Sequence, residues 1–436
     1  MSYILRQGLV VGPTSTRVAD VLVREGRIAE VAERVDAPAG THEIDAEGCW
    51  VGPGFVDIHT HLREPGREAA ETVESGARAG AVGGYSALVA MPNTEPALDN
   101  VALVSHVLDK GGRSLLDVAV AGAITQGREG RHLAPLAEMA ALGVRLFTDD
   151  GAGVQDASLM RRALEYARPL GVRLAQHCED GSLCDAGSMN EGAVSSRLGL
   201  VGRPALGEEL MVLRDIELAR LTGGAVHFLH LSTARSVSLV LAARREGLDV
   251  TCEVAPHHFT LDENACASFD SQFKVNPPLR RPEDVAALRQ ALRDDPIDAV
   301  ATDHAPHAPE LKDRAFDEAP AGMLGLEHAA ALTYEALGGD DADPVRFFAL
   351  MSRGPARVAR LRALDERPRH GAHGGDVVAG EDANLVVFDP RRRWTARAGD
   401  LQSRSRNTPY DGREMLGRAT TLFAKGRLVL AEGSLQ

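Results

Sequence analysis

Lysine is nearly missing from this chain: of 48 basic residues only Lys110, Lys274, Lys312 and Lys425 are lysines, so none lies between positions 110 and 274. Cysteine is scarce as well. The five present (Cys49, Cys178, Cys184, Cys252, Cys266) are odd in number and lack CxxC spacing, which excludes a disulfide framework or a zinc finger and fits a reducing cytoplasm. No run approaches the ~20 apolar residues of a membrane span, and the opening MSYILRQGLVVG lacks the apolar core of a signal peptide. The expected location is therefore cytoplasmic, without membrane attachment. Positive charge is in deficit, 48 − 62 = −14, which disfavours nucleic acid and acidic membranes as partners. An acidic substrate would have to be held by local groups. GAVGG at 80–84 is not GxGxxG and follows a helical pattern, so no dinucleotide site is expected.

What is present is ordinary globular material, 436 residues with 44% hydrophobic and 25% charged, enough for a barrel of about 250 residues and one smaller domain. Short alternating runs near the start (YILRQGLVV, RVADVLVREGRIAEVA, THEIDAEGCWV) and near the end (ANLVVFDP, TTLFAKGRLVLAEG) read as antiparallel strands. Residues 1–52 and 375–436 are expected to pair into one small β-sandwich domain. Between them, in 53–374, eight apolar runs alternate with helical patterns: GFVDIHTH, YSALVAMPN, DVAVAGAIT, GVRLFTDD, VRLAQHCED, AVHFLHLS, DVTCEVAPHH and DAVATDHAP. That alternation predicts an α/β fold, a (β/α)8 TIM-type barrel with its active site where the strands end. Residues 182–205 have little periodicity and read either as a loop over the site mouth or as plain surface.

Nearly every run ends in groups that ligate or titrate. His59 and His61 are two apart, and on a strand such residues share a face. The other strand ends supply Asp149–Asp150, His177, His230 and Asp303. Four His and two Asp exceed the roughly three protein ligands of one catalytic zinc and suit a bridged pair. Such a pair, about 3.5–4 Å apart, holds a hydroxide between its ions, acidifies it and polarises the carbonyl it attacks, which is amide hydrolysis. Asp303 is the carboxylate expected to move the proton. Arg63 offers a fork for a carboxylate, or an ordinary surface ion pair, and Asn93 adds amide donors.

The ordered series GFVDIHTHLREPG, MPNTEP, DDG, HCED, HLST, KVNPPLR and ATDHAPH resembles the class I dihydroorotases of the amidohydrolase superfamily, from about residue 1 to ANLVVFDP. The resemblance implies two zinc ions, held by His59, His61, His177, His230 and Asp303 and bridged by Asp150. Asp303 would also shuttle the proton. It implies that Arg63, Asn93 and His307, beside His61, hold the substrate carboxylate, with Asn276 close by and the backbone of Ala321–Gly322 completing the pocket. The implied reaction is the reversible cyclisation of N-carbamoyl-L-aspartate to L-dihydroorotate plus water, in pyrimidine (UMP) synthesis. Many relatives bridge their metals with a carbamylated lysine on the fourth strand; this chain has no lysine there, and Asp150 matches the branch that uses aspartate, with Asp149 as the alternative. An allantoinase or hydantoinase is the rival activity. A metal-free scaffold for aspartate transcarbamoylase is a third reading, weakened by the full ligand set, although an active enzyme in complex with that partner, or as a homodimer, stays open.

His257–His258 is expected to be structural or to bond groups behind the ligands, and His304 to face away from Asp303. Cys178 has no thiolate-activating motif. His106, His132, His370 and His373 are expected in solvent.

Overall fold

The computed structural model describes residues 1–436 apart from 186, 295–296 and 362–371. Three antiparallel strands open the chain, β1 (Ser2–Val11), β2 (Thr16–Arg24) and β3 (Arg27–Ala32); β4 (His42–Asp45) and β5 (Trp50–Pro53) then lie parallel to β1. Glu25 and Gly26, at φ 54° and 78°, form the two-residue turn between β2 and β3, where positive φ at both positions matches the strand twist.

The barrel strands are β6 (Phe55–Thr60), β7 (Tyr85–Ala90), β8 (Asp117–Val120), β9 (Leu146–Thr148) and β10 (Arg173–Gln176). A short parallel pair, β11 (Met189–Asn190) and β12 (Gly202–Arg203), lies in the next connection, and β13 (Val226–Phe228), β14 (Val250–Val254) and β15 (Ala299–Val300) complete the ring. Neighbours from β6 to β8 and from β9 to β15 pair in parallel. Bridges Gly122–Phe147 and Thr60–His304 join the two arcs, closing a (β/α)8 barrel. Strands β6 to β10 are buried throughout, the reason they read as apolar runs rather than alternating ones.

Helices return the chain between strands. The helix Val73–Gly83 starts at Thr72, whose hydroxyl accepts from Ser75 N while Ser75 Oγ accepts from Thr72 N, a capping box. It ends at Gly84 with φ 90°, where an added Cβ would lie 2.8 Å from Ala419 Cβ and 2.9 Å from Phe55.

The last strands, β16 (Leu385–Thr395), β17 (Glu414–Ala424), β18 (Arg427–Ala431) and β19 (Ser434–Leu435), join β5 through β16, giving one hydrogen-bonded sheet in the order β19-β18-β17-β16-β5-β1-β2-β3 with β4 beside β1. Alternation decides which core each residue enters. Val51, Val387 and Phe423 join an apolar cluster of the sheet's own, whereas Trp50, Phe388 and Leu422 pack with Phe55 and Phe347 of the barrel.

His106 and His132 are exposed, and His370 lies outside the described residues. His373 departs from expectation: it is buried, its Nε2 2.9 Å from Asp117 Oδ2 and its Nδ1 3.0 Å from Ser86 Oγ. Polar partners on β7 and β8 hold it inside. No helix among the described residues is long and apolar enough to cross a membrane.

Candidate metal centre and active site

The strand ends converge on one buried cluster. His59 lies on β6 and His61 just beyond it, while Asp150, His177, His230 and Asp303 follow β9, β10, β13 and β15. Arg63, His230 and Asp303 adopt positive φ (58°, 29° and 47°), a conformation that costs a non-glycine residue about 1–3 kcal/mol and concentrates at functional sites. The chain turns sharply there, just past the strand ends that form the cluster.

Asp150 sits at the centre. Its Oδ1 lies 3.4 Å from His59 Nε2, 3.5 Å from His177 Nδ1 and 3.5 Å from His230 Nε2, and its Oδ2 lies 3.6 Å from His61 Nε2. Two donor triads result, His59–His61–Asp150 and Asp150–His177–His230, sharing that carboxylate. Asp303 Oδ1 joins the first at 3.1 Å from His61 and 3.6 Å from His59. The donors fit a cation. His59 Nε2 is buried without a hydrogen-bond partner. His177 Nδ1 and His230 Nε2 face each other at 2.9 Å, an approach that needs a proton or a cation between their lone pairs.

Asp149 is engaged elsewhere: its Oδ1 accepts from Ile124 N and Thr125 N, and its Oδ2 from the Thr125 hydroxyl. Only Asp150 of the pair faces the cluster.

Burial pushes the Asp303 carboxyl up, but the His61 hydrogen bond and the nearby His59 and His230 outweigh it and hold it well below the usual carboxylate range. Burial likewise opposes charge on His59, and Asp150 and Glu253 overcome it and raise its pKa. That negative field favours any cation placed there.

Outer partners orient the rings. His61 Nδ1 lies 2.8 Å from Asn93 Oδ1, and Asn93 Nδ2 donates to Asp150 Oδ2 at 3.3 Å. His59 Nδ1 lies 2.7 Å from Glu253 Oε1, and the other oxygen of Glu253 is 3.0 Å from His227 Nε2. Asn93 and Glu253 thereby turn Nε2 of His61 and of His59 inward. Sequence reading missed Glu253; the signal was a carboxylate in the middle of the apolar run DVTCEVAP, a position that demands buried partners.

A cavity of about 210 Å³ opens beside the cluster, lined by His61, Arg63, Asn93, Asp150, Gly151, His177, His230, Asn276, Asp303, Ala305, His307, Ala321 and Gly322. Gly151 and Ala305 are additions to the expected set. Arg63 is 7% exposed and donates from Nε to Pro306 O at 3.1 Å, so it is not a surface ion pair. Burial and the nearby Arg67 push its guanidinium down to about 10. His307 Nε2 lies 2.8 Å from Ala321 O, and burial together with Arg63 pushes its imidazole down to about 3. Asn276 Oδ1 accepts from Arg203 at 3.0 Å, which ties the 182–205 segment to the cavity wall.

His258 bonds Pro277 O at 2.9 Å, and His257 Nε2 lies 3.9 Å behind Asp303 Oδ2. His304 faces Glu71, at 3.3 Å. Cys178 is buried, which pushes its thiol well up.

Residues 48–236 match the family model described as dihydro-orotase-like. The chain is 45% identical over 419 residues to a dihydroorotase of Anaeromyxobacter dehalogenans (strain 2CP-C), covering 95% of this chain and 94% of that protein. To a dihydroorotase of Mycobacterium tuberculosis (strain ATCC 25618 / H37Rv) it is 43% identical over 421 residues, with 96% of each chain covered. Among solved structures, an L-hydantoinase (dihydropyrimidinase) from Arthrobacter aurescens superposes with a TM-score of 0.88 at 22% identity, covering 100% of this chain and 97% of that one, a likeness of fold. A D-hydantoinase (dihydropyrimidinase) from Thermus sp. gives 0.83 at 27% identity, with 100% and 96% covered. By sequence along nearly its whole length and by fold, the chain belongs to the dihydroorotase family of the amidohydrolase superfamily.

Proposed function

We propose that the protein catalyses the reversible cyclisation of N-carbamoyl-L-aspartate to L-dihydroorotate plus water, in pyrimidine synthesis. The observation that carries this reading is the pair of donor triads sharing Asp150 beside a cavity lined by Arg63, Asn93 and His307, in a chain whose relatives bear that activity's name. The catalytic unit would be residues 53–374, with 1–52 and 375–436 as the accompanying β domain.

His59, His61 and Asp303 would hold one zinc ion and His177 and His230 a second, with Asp150 shared; nitrogen and carboxylate donors without thiolate suit that metal. When bound, the pair supplies Lewis acidity to the attacked carbonyl and makes a water nucleophilic at neutral pH. Arg63 and Asn93 present donors to the substrate carboxylate, His307 contacts it, and Asn276 with the backbone of Ala321 and Gly322 closes around the ring. Asp303 begins ionised. Its Oδ1 is engaged by His61, which leaves Oδ2 to take the proton of the attacking water and deliver it to the ring nitrogen as the C–N bond breaks. In cyclisation the same oxygen takes a proton from the carbamoyl nitrogen and returns it to the departing hydroxyl.

The likeness to solved hydantoinases keeps another cyclic amidohydrolase as the second reading; the absence of lysine between Lys110 and Lys274 removes the bridging group many of those enzymes use. The reading includes a cytoplasmic location, and co-elution tests a homodimer and a complex with aspartate transcarbamoylase. Zinc-reconstituted protein is expected to consume L-dihydroorotate, followed by absorbance, with about two metals per chain. Two metals with turnover of hydantoin or allantoin alone would favour the second reading. No metal and no turnover would revive a scaffold role.

A further inference from the structure

The connection between β16 and β17 leaves its own sheet and runs to the mouth of the barrel. Ser403 Oγ and Arg404 N bond the buried Glu71, and Ser405 Oγ donates to Ala70 O at 2.7 Å. Asn407, 3% exposed, then packs behind residues that line the active-site cavity. Its Oδ1 accepts from His307 N at 3.0 Å, and its Nδ2 donates to Ala305 O at 2.9 Å and to Gly322 O at 3.2 Å. Its backbone carbonyl accepts from Leu324 N at 2.9 Å. One side chain thus uses its acceptor and both its donors on three residues that line the cavity, and they belong to two different loops, one after β15 and one around residues 319–324.

We propose that Asn407 is a positioning residue of the carboxylate subsite, holding His307 and the Ala321–Gly322 backbone at a fixed separation without touching any metal ligand. The identity of the substrate rests on the activity proposed above. A second donor supports the same loop from below: the buried Lys312 places Nζ 3.1 Å from both Pro320 O and Gly322 O. With the Asn407 side chain gone, the His307 N–H and Ala305 O lose this partner, Gly322 O keeps only Lys312, and the two loops are joined by fewer contacts, His307 Nε2 to Ala321 O and Ala305 N to Met323 O. The metal cluster is built on other contacts and stays intact.

The test compares parent, Asn407→Ala and the near-isosteric Asn407→Asp in the full-length zinc enzyme. Asn407→Asp keeps an acceptor for His307 N but turns an anionic oxygen toward two carbonyls. In both variants KM for L-dihydroorotate is expected to rise about ten-fold or more, with kcat within about three-fold, the signature of lost binding rather than lost chemistry. Zinc content should match the parent, and amide hydrogen exchange should quicken at Ala305, His307 and 321–324. KM within about two-fold of the parent with unchanged exchange, or loss of zinc in parallel with activity in both variants, would overturn the proposal. Should the parent itself not turn over L-dihydroorotate, the proposed activity falls while the exchange comparison still decides the role of Asn407.

Discussion

At the scale of single residues, Glu253 is the group on which the cluster leans without being a ligand. Burial opposes its charge, but His59 and His227 outweigh this and hold its carboxyl down at about 2, so it meets His59 Nδ1 as an anion and keeps the ring's Nε2 turned inward. Such outer partners are worth roughly ten- to a hundred-fold in metal affinity. Glu253→Gln should therefore lose zinc to a chelator about ten-fold more readily than the parent, measured by competition titration; equal retention would reduce Glu253 to a filled core position. The candidate ligands were legible because strand-end spacing displays them locally: His59 and His61 by alternation, Asp150 by its DDG run. Which aspartate faces the cluster was settled in the structure by Thr125, whose hydroxyl and amide occupy Asp149. Glu253 showed only as a carboxylate in an apolar run, and neither its partners nor the role of Asn407 was legible, because these lie far away along the chain.

At the scale of elements, the eight barrel runs were readable because buried parallel strands are continuously apolar. Their lengths were not: β15 keeps only Ala299–Val300 in ladder geometry before the chain turns toward Asp303. A short helix, Gly181–Cys184, runs into the start of the 182–205 segment and another, Ala193–Leu198, lies between β11 and β12, both too brief to show a period. One half-buried acid links elements in a pH-dependent way. Glu327 accepts from Gln402 N at 2.7 Å, and burial pushes its carboxyl up to about 7. Because the folded value lies above the ordinary one of about 4.3, the folded state binds the extra proton between those values. Stability from this group is present at low pH and lost as pH rises through 7. Glu327→Gln keeps the acceptor without the charge, so its melting temperature is expected to exceed the parent's at pH 8, with the gap closing toward pH 5. A gap independent of pH would place the ionisation elsewhere.

At the scale of the whole molecule, both chain ends form one sheet, and its joint is the pairing of β5 with β16, Phe388 opposite Trp50. The texture of the two ends suggested that they meet, but not that the sheet presents Trp50, Phe388 and Leu422 to the barrel, since facing is set by register across residues far apart. A chain ended after Thr395 keeps every proposed metal ligand yet loses β17 to β19, so it uncovers that apolar face. Such a chain should aggregate or bind a hydrophobic dye strongly, whereas a soluble monomer with native near-ultraviolet dichroism would show that the barrel does not need the sheet's last strands.

The placement of Asn407 also sets an order in time. During synthesis the last proposed zinc ligand, Asp303, leaves the ribosome about a hundred residues before Asn407 does, roughly 5–20 seconds at ordinary elongation rates. For that interval a nascent barrel can gather its metal donors while the wall that receives the substrate carboxylate is still unfinished.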